Sequence, residues 1–165
     1  LPMCVDKILK NNSILISDID FISTTVGPGT FTGLRVGLSF SQGLAYSLGI
    51  PIAPINTIDV LNSQFEFSDQ YLVGIYSHKD FIIYKYFDGK IDNPIKLDSI
   101  NNIDVNNVFG IGLDDFKDKF NYYPLQLTSL EVGEYSYKNY NTLIEESISS
   151  IKPIYLNEYK VVSNI

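Results

Sequence analysis

Tryptophan is absent from this 165-residue chain, and cysteine, histidine and arginine occur once each, as Cys4, His78 and Arg35. One cysteine excludes an internal disulfide, and with a single histidine the usual Cys/His metal site cannot be assembled, so no metal is expected on this chain. That usage fits a reducing, cytoplasmic compartment. No apolar run approaches the roughly 20 residues of a bilayer-crossing helix, and the first residues lack a basic region followed by an apolar one, so no membrane association is expected. A basic excess is missing too. Lys+Arg 12 against Asp+Glu 19 gives a formal charge of −7, and no sequence-wide cationic surface exists to release counterions from phosphates. Direct nucleic-acid binding is therefore disfavoured.

What remains is ordinary globular material: 45% hydrophobic and 19% charged residues, enough for a core in one domain or two small lobes. The chain opens at Leu1 inside an amphipathic pattern (Leu1, Cys4, Val5, Ile8, Leu9), which suggests a natural start further upstream. The pattern predicts a helix over 2–10, closed by Asn11-Asn12, and a strand over 21–26 rich in β-branched residues. A Gly-Pro-Gly turn follows. The next helix is expected over 31–48, with Thr30 as N-cap and Gly49 and Pro51 as stop signals. A short strand over 52–55 and a helix from Asn56 or Thr57 towards Phe65 complete an α/β signature. The pattern relaxes at 67–70, which places a boundary there: 1–66 as a partial first lobe with the glycine-rich turn and interface helices, 67–165 as the second. In that second part, strands over 71–76 and 81–87, then an Asp88-Gly89 turn before Lys90 and Ile91, predict an antiparallel meander. A strand over 107–112, a short helix over 113–120, a strand over 125–127 and a helix near 130–140 follow, and Ile154-Tyr155-Leu156 closes the pattern.

The most distinctive stretch is Val26-Gly27-Pro28-Gly29-Thr30-Phe31-Thr32-Gly33-Leu34-Arg35-Val36-Gly37. It joins a strand to a helix through a glycine-rich turn, where open α/β folds place ligands or partners. A helix N-terminus offers free N–H groups to an anion, so a phosphate cradle at Gly27 to Gly33 is one reading. The Walker pattern fails, because no Lys followed by Ser or Thr stands after Gly33. The dinucleotide fingerprint also fails, being one residue too long and followed by Asn56 instead of an acid. The plain alternative is that the glycines only permit positive φ and close backbone approach.

At 100° per residue the helix carries two apolar stripes. Leu34, Leu38, Ser41, Ala45 and Leu48 form one, and Val36, Phe40, Leu44 and Ser47 the other. Gly33 and Gly37 lie between them, so the apolar arc spans about 200°. The one-turn spacing of Gly33, Gly37 and Ser41 would admit another backbone. Two readings stay open: a helix buried within its own domain, or one with a face left to a partner chain.

Gly27 to Gly37, followed by Gln42-Gly43-Leu44-Ala45, closely resembles the signature of the TsaB (YeaZ) family, and Leu1-Pro2-Met3, Asp18-Ile19-Asp20, Gly49-Ile50-Pro51, Asn56-Thr57 and Lys152-Pro153-Ile154-Tyr155-Leu156 extend the likeness. The resemblance implies an actin-like ATPase (ribonuclease H-like) α/β fold of two small lobes, with the family's N-terminal strands missing from this fragment. It implies a non-catalytic dimerisation subunit, not an enzyme, that binds a TsaD-type catalytic paralogue for transfer of threonylcarbamoyl to adenosine in tRNA. A TsaE-type ATPase joins that assembly, a homodimer is possible without the partner, and tRNA is met only indirectly. ATP and metal belong to the partner subunit, and no cofactor is bound by this chain alone.

The positions carried over as partner interface or structural motif are Gly27, Pro28, Gly29, Thr30, Phe31, Thr32, Gly33, Leu34, Arg35, Gly37, Leu38, Ser41 and Ala45, with helix 1–9 as a second interface element. No catalytic residue is carried over. The 77–80 connection lacks the family's Asp-Ala-Arg and Glu-Val-Tyr residues, and His78 reads as a solvated turn residue. A nucleotide-binding actin-like ATPase domain, using the Gly27–Gly33 turn for phosphates, is the competing function. A peptidase is a third, but Cys4 lies on an apolar helix face where a packed thiol is expected, and no nucleophile-base constellation accompanies it.

Overall fold

The computed structural model describes residues 1–89 and 93–156. Lys90 and Ile91, expected to follow the Asp88-Gly89 turn of the meander, lie outside the described residues. Two compact units emerge: Leu1–Val60 together with Leu127–Pro153, and a second built on Leu61–Gln126.

The first unit opens with α1 (Pro2–Asn11), whose proline sits in the first turn, where its missing N–H costs no helical bond. Asn12 donates its side-chain amide to the Ile8 carbonyl, and Ser13, at φ 55°, turns the chain away. β1 (Ile22–Gly27), α2 (Phe31–Leu48) and β2 (Ile52–Asn56) form a parallel crossover unit. β1 and β2 pair in parallel from Ile22↔Ile52 to Thr25↔Ile55. α2 stops at Gly49, which takes the left-handed conformation (φ 66°), and the Ile50 N–H returns to the Ala45 carbonyl. Asn56 Oδ1 accepts the Ile58 N–H and starts α3 (Thr57–Asn62).

The later stretch of this unit is helical. α4 (Ser129–Lys138) begins with a capping box: Thr128 accepts the Leu130 N–H, while the Glu131 carboxylate accepts the Thr128 N–H. α5 is Tyr140–Leu143. Val132, Tyr135 and Leu143 pack against the buried Ala53, Ile55 and Val60. Beyond α5, Glu145 bridges Ile52 in antiparallel fashion, its N–H donating to the Ile52 carbonyl at 2.8 Å.

The second unit is a five-stranded sheet of β3 (Tyr71–His78), β4 (Phe81–Phe87), β5 (Lys96–Ser99), β6 (Asn107–Ile111) and β7 (Asn121–Pro124), in the order β5-β4-β3-β6-β7. Leu72, Ile82, Tyr84, Ile100, Val108 and Leu113 form its core. The expected antiparallel meander is present as β3, β4 and β5, its third strand at Lys96–Ser99. Only β3, β4 and β5 run antiparallel, while β3-β6 and β6-β7 are parallel.

Other departures have local causes. The helix expected over 113–120 is a single 3-10 turn, Asp114–Phe116, entered through Gly112 at φ 74°. The strand expected at 125–127 falls instead on Asn121–Pro124. Among the described residues, Ile154 to Leu156 are in no helix or strand. The division expected at residue 66 also differs from the structure: the break lies after Val60, and Leu127–Pro153 folds with the first unit. The apolar faces of α4 and α5 find their complement on β1 and β2, a long-range pairing that no local pattern encodes.

Candidate partner interface

β1 runs straight into the glycine-rich turn. Gly27 has φ 125°, a region that a side chain disfavours, and it precedes the buried Pro28 through a cis peptide bond. Gly29 and Thr30 are exposed. Thr30 has the extended N-cap conformation and its carbonyl accepts the Leu34 N–H at 2.9 Å, but its hydroxyl makes no capping bond. That hydroxyl lies over Gly33 instead, where an added Cβ would meet it at 2.6 Å. A side chain at Gly33 would therefore require the Thr30 hydroxyl to turn away. At Gly37 a Cβ would meet nothing within 4 Å.

Burial separates the two stripes of α2. Leu34, Leu38, Ser41 and Ala45 are buried and face inward, in the unit where α2 packs along β1. These four seat the helix and are closed to a partner. The second stripe is open: Val36 is 54% exposed, and Phe40 and Leu44 are only partly covered. Phe31 and Thr32 lie at the exposed start of the helix, and the Arg35 guanidinium stacks 3.8 Å above the Phe31 ring. Gln42, on the far side, donates to the carbonyls of Ile148 (2.8 Å) and Ile151 (3.1 Å), tying the segment after α5 to α2.

α1 stands beside the open stripe. It buries no residue, with Met3 85% and Ile8 59% exposed. The following Ile14, Leu15 and Ile16 are also exposed. Between α1, this segment and α2 runs a groove of about 400 Å³, lined by Val5, Leu9, Ile14, Ile16, Phe40 and Leu44. The groove is apolar, with Asp6 and Lys10 at its lip joined by a 2.8 Å ion pair.

The structure thus places Leu34, Leu38, Ser41 and Ala45 in the interior and sets Phe40 and Leu44 beside the first helix. Val36, Phe40, Leu44 and Ile14-Leu15-Ile16 are absent from the expected site residues. Their signal was legible for Val36, Phe40 and Leu44, which form the second stripe. For residues 14–16 it was a bare apolar triplet with no periodicity. Among the described residues, no group of three or more His, Cys, Asp or Glu side chains could hold a metal ion.

The family described as "TsaD: tRNA N6-adenosine threonylcarbamoyltransferase" matches residues 1–90, more than half of the chain. The chain belongs to this family. Its likeness extends to the TsaB (YeaZ) members: it is 41% identical over 61 residues to the "tRNA threonylcarbamoyladenosine biosynthesis protein TsaB" of Buchnera aphidicola subsp. Schizaphis graminum, covering 37% of this chain and 29% of that one. It is also 44% identical over 55 residues to the "tRNA N6-adenosine threonylcarbamoyltransferase" of Pelodictyon phaeoclathratiforme, covering 33% of this chain and 16% of that protein. The matches thus span less than a third of either relative's length. The solved structure "YeaZ from Pseudomonas aeruginosa" superimposes with a TM-score of 0.69 at 18% identity, over 93% of this chain and 82% of that one. The TsaB (YeaZ) resemblance read from Gly27 to Gly37 stands, and the fold is the actin-like, ribonuclease H-related α/β class.

Proposed function

We propose that the chain serves tRNA threonylcarbamoyladenosine biosynthesis as a non-catalytic scaffold subunit, and that the groove between α1 and α2 receives a TsaD-type catalytic paralogue. The observation that carries this reading is α1 itself: a ten-residue helix with no buried residue, beside a second apolar stripe that the chain leaves half covered. Burying such surface is worth roughly 25 cal/mol per Å², the dominant favourable term in most associations. On this reading ATP and metal sit on the paralogue, a TsaE-type ATPase joins the assembly, and the acidic chain meets tRNA only through its partners, in the cytoplasm. Without the paralogue the same surface supports a homodimer.

The test is co-purification of the full-length protein with the paralogue. Ile8→Asp and Phe40→Asp should fold normally and lose the partner, since an unpaired charge buried in an interface costs about 3–5 kcal/mol. If both variants retained the partner at wild-type yield, the groove would not be the interface.

The nucleotide-binding reading has less support. Pro28 has no N–H to offer a phosphate, and the Arg35 guanidinium is stacked on Phe31. Calorimetric titration of the chain without partners should show no micromolar binding of ATP.

A further inference from the structure

We draw no further inference here: the strongest candidate beyond the proposed groove, the outer face of α4 with its exposed Leu130 and Tyr137, carries nothing because no feature of the structure shows what covers it.

Discussion

Gly110 faces Gly74 across the β3–β6 pair, and an alanine methyl there would come 2.0 Å from the Gly74 carbonyl oxygen. Backbone cannot yield as a side chain can, so Gly110→Ala should destabilise the protein by at least about 1–3 kcal/mol, visible as an earlier denaturant midpoint. Gly37→Ala is the opposite case. The site is open, and a helix-interior alanine should add about 0.5–1 kcal/mol to the free chain. If the paralogue approaches at Gly37, the same variant should weaken the complex, so the two measurements should move in opposite directions. Charge at single residues gives a pH signature. The Asp80 carboxylate is held below its usual range chiefly by the Ser99 hydroxyl at 2.6 Å, with Asn101 adding a weaker bond. Glu131 is lowered by the hydroxyl and N–H of Thr128. Both pKa values are depressed on folding. Their contribution is therefore present above the ordinary carboxylate value and is lost as pH falls through the folded one. NMR titration should find both midpoints low, and Ser99→Ala should move that of Asp80 upward.

At the scale of the element, α2 decides most questions. Its ends were legible because each terminus has a chemical cause: the Gly-Pro-Gly turn before Thr30, and Gly49 with its left-handed φ after Leu48. Its two stripes were legible from periodicity alone. Which stripe the chain keeps was not, because that depends on the position of β1 and on the return of residues 127–153. Leu34→Asp should consequently unfold the first unit, whereas Val36→Asp should leave circular dichroism and melting unchanged and act only on association. The bonds from Gln42 to Ile148 and Ile151 were equally invisible, joining residues more than a hundred positions apart. Gln42→Ala should raise amide exchange over 148–151 and cost about 1–3 kcal/mol, two neutral hydrogen bonds at about 0.5–1.5 each. The β6-β7 extension was missed for a related reason. Short strands such as Asn121–Pro124 carry no alternation, and parallel pairing gives no hairpin signal.

At the scale of the whole molecule, the α/β class and the family signature were readable from the sequence, and the structure divides into two compact units. Their composition was not, since contact between distant segments, and not a composition shift near residue 66, draws the line. Net charge of −7 disfavours contact with polyanions, so any association with RNA by this chain alone should be weak and vanish with moderate salt.

The first unit is sewn shut by Leu127–Pro153, a stretch translated after all of the second unit's strands. During synthesis, β1 and β2 must wait for α4 and α5 while the later sheet can already close behind them. A released chain truncated after residue 126 should therefore show protease-resistant strands β3 to β7 and a cleavable beginning, the reverse of the vectorial order in which domains usually mature.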